Sequence, residues 1–144
     1  MTERALENGD MAHRFAVRVY YEDTDAGGIV YYANYLRFAE RARTEMLRDI
    51  GRPYIDLVRD GLSLAVRRCE VDYLRPARLD DRLEVETRLV DIGGATLEAE
   101  QDVRREHEML VQMRIRLACI AQSGRPARLP AALRDVLKPY CRVQ

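Results

Sequence analysis

The residues best suited to chemistry are two carboxylates, Asp23 and Asp25, with the glycine pair Gly27 and Gly28 close behind them. Five of the eight tyrosines lie within residues 20–35, so the surroundings of these carboxylates are unusually apolar for a loop. An acidic side chain just ahead of a helix N-terminus brings a base or nucleophile near backbone N–H groups that stabilise an oxyanion. An acyl-transfer or hydrolysis site requires this arrangement.

Both aspartates also have a structural interpretation, because aspartate commonly ends strands and builds turns with its own backbone. For Asp23 the sequence favours that structural role or a supporting one. Asp25 adjoins Gly27 and Gly28, which let a ligand approach the main chain closely. Apolar neighbours can also raise the basicity of a carboxylate by excluding water. Spacing alone supports a catalytic and a structural role for Asp25 about equally.

No metal or phosphate site is predicted around these carboxylates. Residues 23–28 resemble the start of a calcium loop, but the twelfth position from Asp23 is Asn34, where such a loop needs a glutamate. The glycine pair is not followed by Lys-Ser or Lys-Thr, and the chain has no GxGxxG motif. We therefore expect a reaction without a metal or an organic cofactor.

Other nucleophiles and bases are scarce. The only serines are Ser63 and Ser123, and no GxSxG nucleophile elbow surrounds either of them. His13 is expected in a loose N-terminal region and His107 in an exposed turn. A catalytic triad built on serine or cysteine with histidine is therefore disfavoured.

The amino-acid composition argues against several classes of binding partner. Acidic and basic residues number 24 each, so no net field draws the chain to nucleic acid or to an anionic membrane. No apolar run approaches membrane-spanning length, and the N-terminus is too polar for a signal peptide. Cys69 and Cys119 lie in apolar strand patterns and form no CxxC pair, which predicts inert buried thiols. These features predict a cytoplasmic protein.

Hydrophobic periodicity predicts the elements that position the carboxylates. An alternating strand is predicted over residues 14–22, and helical spacing follows from about Tyr35 to Ile50. Gly51 then gives a helix-stop signal. The strand over 62–74 changes phase, which predicts a bulge near Arg67 and Arg68. The other predicted elements are a short helix over 54–61, strands over 82–90, 95–105 and 109–121, and a C-terminal helix over 130–138.

One long helix followed by successive antiparallel strands predicts an α+β domain in which a five-stranded sheet wraps around the helix. The predicted boundaries are a flexible segment over 1–12, a single domain over 13–138 and a tail over 139–144. The last strand is apolar at three outward positions, so pairing with a second copy and a homo-oligomer are expected. These positions are Leu110, Ala118 and Ile120.

Two segments carry a family resemblance. VYYEDTDAGGIVYYANYLRFAERARTEML, residues 19–47, and VDYLRPARLDDRLEVET, residues 71–87, resemble hotdog-fold thioesterases of the 4-hydroxybenzoyl-CoA thioesterase class. They are most similar to the branch of Tol–Pal-associated acyl-CoA thioesterases. One departure concerns Tyr32, because many members of that branch carry histidine at this position.

The resemblance implies a hotdog fold, hydrolysis of acyl-CoA thioesters, and a dimer or a dimer of dimers. It also implies that Asp25 attacks the thioester carbonyl or activates water, while the main-chain amide of Tyr32 polarises the carbonyl oxygen. The expected substrate-binding residues are Gly27, Gly28, Tyr31 and Tyr35. Cations beside the strand ends are candidates for the phosphates of coenzyme A, although solvated arginines are the more common case. They are Arg67, Arg68, Arg75 and Arg78.

Two alternatives remain open at this stage. A hotdog hydratase or dehydratase would need an acid–base pair that usually includes histidine, and the motif has none. The other alternative is a non-catalytic oligomer that binds acyl carrier protein or a cell-envelope complex. The sequence leaves undecided which acyl group is preferred and whether coenzyme A or acyl carrier protein is the donor.

Overall fold

The structure is a computed structural model that describes residues 11–142. Its strands are β1 (His13–Arg18), β2 (Leu62–Tyr73), β3 (Arg82–Ile92), β4 (Thr96–Arg105) and β5 (Glu108–Ala121). Its α-helices are α1 (Asn34–Asp49), α2 (Tyr54–Arg59) and α3 (Ala131–Leu137), and single 3-10 turns lie at Tyr21–Asp23 and Lys138–Tyr140. Most of the predicted N-terminal segment, residues 1–10, lies outside the described residues.

All five strands join one antiparallel sheet in the order β1-β3-β4-β5-β2. This confirms the predicted α+β architecture. The long helix α1 packs on one face of the sheet, and its buried residues belong to the same apolar core as the inward residues of β3, β4 and β5. None of the helices in residues 11–142 is long and apolar enough to span a membrane.

A buried glutamine ties α1 to the sheet. Gln101 on β4 is fully buried, and its Nε2 donates to the carbonyl oxygen of Ala39 at 2.9 Å and to Thr87 Oγ1 at 3.0 Å. Its Oε1 accepts a hydrogen bond from Arg43 Nη1 at 2.8 Å. The amide is thus satisfied on both sides, which a buried polar group requires.

Two local signals of the sequence are confirmed. Helix α1 ends where predicted, because Gly51 has a φ of +83° and donates to the carbonyl oxygen of Arg48 at 3.1 Å. The register of β2 against β5 shifts between Val66 and Arg68, which is the predicted bulge.

The first strand is shorter than predicted, and His13 is not in a loose segment. β1 ends at Arg18, because residues 21–23 turn into a 3-10 helix that Asp23 closes by accepting a hydrogen bond from the Tyr20 amide. His13 begins β1, pairs with β3 and is 7% exposed, and its Nε2 lies 2.8 Å from Asp49 Oδ2 at the end of α1. The expectation of an exposed turn residue is therefore wrong for His13.

The sheet order also corrects the surface expected to pair with a second copy. β5 is an interior strand, and two of its predicted outward residues, Leu110 and Ala118, are buried within the chain. The carbonyl of Leu110 accepts the amides of Leu74 and Arg75, so the segment after β2 folds against it. The outer edge of β2 is the long edge that no other described strand covers. The homo-oligomer itself stays a prediction.

The chain continues past residue 138 along the sheet. Cys141 forms a parallel bridge with Leu89 of β3, and Arg142 donates its amide to the carbonyl oxygen of Leu89 at 3.1 Å. Residues 143 and 144 lie outside the described part of the chain. The predicted domain boundaries at 13 and 138 stay predictions.

Candidate active site

The segment between β1 and α1 is held in shape by Asp23. This carboxylate is 4% exposed, and its Oδ2 accepts the amide of Tyr20 at 2.8 Å. Its Oδ1 accepts Asn34 Nδ2 at 2.6 Å, so it also fixes the first residue of α1. The carbonyl of Asp23 accepts the amide of Tyr31 at 2.9 Å. Asp23 therefore has the structural role that the sequence favoured.

Asp23→Ala is expected to lower the free energy of unfolding by about 3 kcal/mol, because it leaves two donors without their acceptor in a buried place. Asp23→Asn retains one acceptor oxygen and should lose less. Chemical denaturation measures both, with the exposed neighbour Glu22→Ala as the control. Equal stability of Asp23→Ala and Glu22→Ala would contradict this structural role.

Asp25 lies at the tip of a small hairpin that leads into α1. Thr24 pairs with Val30 in an antiparallel bridge, and the amide of Asp25 donates to the carbonyl oxygen of Ile29 at 2.8 Å. The Asp25 side chain is exposed. Its Oδ1 accepts the amide of Gly27 at 2.8 Å, whereas Oδ2 accepts no hydrogen bond from residues 11–142. One oxygen anchors the carboxylate and the other is free to meet a substrate or water.

The glycine pair permits this geometry. A Cβ on residue 27 would lie 3.3 Å from Asp25 Oδ1, which is tighter than an ordinary contact. Gly28 has a φ of +85°, a conformation that other residues rarely adopt. Gly27 and Gly28 are thus needed to keep the carboxylate accessible and the hairpin tight.

The hairpin leads into the N-terminus of α1, and a backbone N–H group at this point has no acceptor among the described residues. The amide of Asn34 donates to the carbonyl oxygen of Tyr31 at 2.8 Å, but the amide of Tyr32 finds no acceptor in the described part of the chain. Tyr32 lies just before Ala33, the N-cap of α1, and the helix dipole adds partial positive charge at this end of the helix. The Tyr32 amide is therefore suited to bind a partly negative oxygen.

Tyrosine rings surround this helix end. The Tyr31 and Tyr32 ring centroids are 4.8 Å apart, and Tyr73 of β2 meets Tyr32 edge-on at 6.3 Å. The Tyr73 hydroxyl donates to the carbonyl oxygen of Tyr32 at 3.0 Å. Tyr73 was not among the predicted site residues, although its inward phase on β2 was the signal that could have identified it.

Tyr35 lies beneath these rings rather than on the surface. It is 2% exposed, its centroid is 5.8 Å from that of Tyr73, and its hydroxyl accepts the amide of Ala77 at 3.0 Å. Burial raises the pKa of both the Tyr35 and Tyr73 hydroxyls, and a hydrogen bond to Tyr32 raises the pKa of Tyr31. These tyrosines are neutral at ordinary pH, so they contribute aromatic rings and neutral hydroxyl groups to the site rather than bases.

The four candidate cations differ in their relation to the hairpin, and one of them, Arg75, is exposed and paired with Glu108 at 3.6 Å. Arg67 and Arg68 are exposed on β2, with Arg68 paired to Glu70 at 3.1 Å, and six residues of extended strand, about 20 Å, separate Arg67 from Tyr73. The structure therefore does not bring Arg67 or Arg68 to Asp25 within one chain. Arg78 is different, because its backbone forms a bridge with Ile29 of the hairpin. Its side chain is exposed.

Other nucleophiles and bases are poorly placed. Cys119 is buried as predicted, whereas Cys69 is exposed, so the prediction of a buried thiol is wrong for Cys69. Partial desolvation raises the pKa of all three cysteine thiols, which disfavours reactive thiolates. His13 contacts Asp49 at the C-terminal end of α1, about 25 Å of helix away from Tyr32. His107 is exposed in the turn between β4 and β5. Asp25 is thus the group best placed to act on a molecule bound at the N-terminus of α1.

Comparison with known proteins identifies the family of this chain. Residues 19–137 match the sequence profile of the thioesterase-like superfamily. The acyl-CoA thioesterase YbgC of Haemophilus influenzae is 46% identical over 116 residues, which cover 80% of this chain and 83% of that protein. The acyl-CoA thioester hydrolase YbgC of Escherichia coli O6:H1 is 42% identical over 122 residues, covering 83% and 91% of the two chains.

A solved structure shows the same fold at substantial sequence identity. The crystal structure of a probable thioesterase from Bartonella henselae superposes with a TM-score of 0.80 at 40% identity, covering 83% of this chain and 99% of that one. The described fold, a five-stranded antiparallel sheet with one long helix against it, is the hotdog fold that the resemblance implied.

Proposed function

Because this chain belongs to the thioesterase-like superfamily, we propose that it hydrolyses acyl-CoA thioesters to a free acid and coenzyme A. The observation that carries the proposal is the Asp25 carboxylate, which has one anchored and one free oxygen on the hairpin that enters α1. The named activities of the relatives supply the substrate class.

In the proposed mechanism the thioester carbonyl oxygen accepts the amide of Tyr32, which draws electron density from the carbonyl carbon. Asp25 then acts by one of two routes. As a nucleophile it forms a mixed anhydride and expels coenzyme A as thiolate, after which water cleaves the anhydride and restores the carboxylate. As a general base it takes a proton from water, whose oxygen attacks the carbonyl carbon; the tetrahedral intermediate then expels coenzyme A as thiolate, and the proton held by Asp25 passes to that thiolate. Both routes consume one water molecule and need no other reactant.

The remaining site residues are assigned to substrate binding. Gly27 and Gly28 let the thioester approach the main chain, and Tyr31 forms a wall of the site. Tyr35 is buried in the chain, so its role is to support the ring of Tyr73 rather than to contact the substrate directly. For the phosphates of coenzyme A we propose cations at the mouth of the site.

Among these cations, Arg78 has the strongest support, because its backbone pairs with the hairpin that carries Asp25. Arg67 and Arg68 remain candidates only if a second copy brings them to the site. A homo-oligomer, as a dimer or a dimer of dimers, forms part of the proposal. The uncovered edge of β2 and its exposed residues Val66 and Tyr73 support it.

A hydratase or dehydratase is less well supported. Such chemistry usually needs a histidine in the site, and both His13 and His107 lie elsewhere. An acyl-carrier-protein donor, a link to the Tol–Pal envelope system and a cytoplasmic location stay predictions. A purely binding role is an outcome of the experiment below.

The experiment is release of free thiol from short, long and benzoyl esters of coenzyme A and from matched acyl carrier proteins. We expect hydrolysis of at least one coenzyme A ester at a rate well above the uncatalysed one. Turnover of acyl carrier protein esters alone would move the substrate class to the carrier-bound form. No turnover of either, with ligand binding retained, would replace hydrolysis by a binding role.

A further inference from the structure

The space between α1 and the sheet holds a cavity that the mechanism does not use. Its volume is about 140 Å³, close to that of an engineered apolar cavity of about 150 Å³ that binds benzene. It can therefore hold about six carbon atoms. Its walls are mostly aliphatic and come from α1, α3 and strands β2 to β5, and they include Met46, Leu64, Leu97, Ala99, Leu117 and Leu137.

A groove adjoins this cavity near the active-site end of α1. It lies between α1 and β2, is about 260 Å³ in volume, and begins at Leu36, one turn beyond Tyr32. Val66 and Cys69 line its β2 side. Tyr73 is four residues beyond Cys69 on the same face of β2, and it contacts the ring of Tyr32. The tyrosines of the proposed site therefore lie just beyond this groove along both α1 and β2.

Glu40 and Arg43 form the neck between groove and cavity, because both residues line both spaces. Hydrogen bonding of Arg43 to Gln101 draws its guanidinium toward the sheet. Burial lowers the pKa of Arg43, and the Glu40 carboxylate offsets part of that shift. The aliphatic stem of an arginine held in this way can line the path of an apolar chain.

We propose that this cavity binds the distal end of a long, unbranched acyl chain and so makes the protein selective for long-chain thioesters. The inference rests on the proposed thioester hydrolysis and names its substrate class. Nine residues of α1 separate Asn34 from Arg43, which is about 14 Å. Three bonds of an extended chain span about 3.3–3.6 Å, or about 1.2 Å per bond, so roughly twelve bonds of an alkyl chain reach the neck. With about six more carbons in the cavity, the preferred acyl group has roughly sixteen to eighteen carbons.

The test fills the cavity without touching the proposed catalytic residues. Ala99→Leu adds three carbons from the floor of the cavity, and each methylene of substrate that it excludes should cost about fourfold in kcat/KM. We expect kcat/KM for palmitoyl-CoA to fall about 50-fold, with little change for butyryl-CoA. The matched control is Ala65→Leu, which makes the same change next to Leu64 but on the opposite face of β2. This control should leave the dependence of kcat/KM on acyl-chain length, the chain-length profile, unchanged.

Two further measurements keep the outcome decisive. Thermal unfolding checks that Ala99→Leu is folded, and the smaller Ala99→Val replaces it if it is not. The shift in Tm caused by palmitate reports occupancy of the cavity without any turnover, so it separates this inference from the proposed hydrolysis. A palmitate shift in wild type that Ala99→Leu abolishes supports the inference even if no thioester is hydrolysed. A folded cavity-filling variant with wild-type palmitate binding and an unchanged profile would overturn it.

Discussion

Asp25→Asn is expected to lower kcat/KM for acyl-CoA hydrolysis by about 10³-fold or more, while the fold and the affinity for the acyl-CoA persist. Loss of a positioned general base typically costs about 10²–10⁴-fold, and loss of a covalent nucleophile costs more. The asparagine side chain keeps an oxygen that can accept the Gly27 amide, which Asp25 Oδ1 accepts at 2.8 Å. The hairpin should therefore survive while the ionised oxygen is lost.

The measurement compares free-thiol release by wild type and Asp25→Asn over acyl-CoA concentrations up to saturation, with Kd measured separately by calorimetry on the inactive variant. Glu22→Gln is the matched control, because it neutralises an exposed carboxylate three residues away in the same segment. We expect the control to retain wild-type kcat. If Asp25→Asn keeps more than about a tenth of wild-type kcat, then neither nucleophilic nor general-base catalysis by Asp25 can hold.

The parts of the fold that were predicted correctly depend on local patterns. The 3.6-residue spacing of apolar side chains identified α1. Gly51 marked its end, because glycine readily adopts the left-handed backbone conformation that ends a helix. The change of phase in β2 located its bulge between Val66 and Arg68. Each of these signals lies within a few residues of the feature that it predicts.

The errors arise where distant residues decide the outcome. His13 is buried because β1 pairs with β3 and because Asp49 lies beside it, and neither partner is near it in sequence. Strand order is likewise non-local, so the alternating pattern of β5 did not reveal that β2 covers one of its sides. Alternation shows which residues share a face, but it does not show which strand forms the edge of the sheet.

The sequence likewise predicted some residues of the candidate site and missed the placement of others. Asp25 and the glycine pair lie on one short hairpin, so their relation was visible in the sequence. The involvement of Tyr73 depends on contact with residues 41 positions earlier, and the position of Arg78 depends on its bridge to Ile29. Such contacts follow from the packing of α1 on β2 and from the fold of the segment after β2. They appear only when the tertiary structure is known.

Replacing the Tyr32 amide by an ester is expected to lower kcat about 10²–10³-fold with little change in KM. The ester, introduced by chemical ligation, removes one N–H donor, and loss of a single oxyanion donor typically costs this much. That N–H has no acceptor among residues 11–142, so the folded chain loses no hydrogen bond from it. Its contribution should therefore be confined to the substrate and, above all, to the transition state.

The control for this experiment is Tyr32→Phe, which keeps the ring and the amide and removes only the hydroxyl. It should stay within a few-fold of wild type, whereas a requirement for the side-chain hydroxyl would reverse the order of the two variants. The ester also weakens the Tyr31 carbonyl, which accepts the Asn34 amide at 2.8 Å. Thermal unfolding measures that structural cost independently of kcat. A loss of stability without a loss of kcat would show that the Tyr31 carbonyl supports the start of the helix while the Tyr32 N–H does not stabilise the oxyanion.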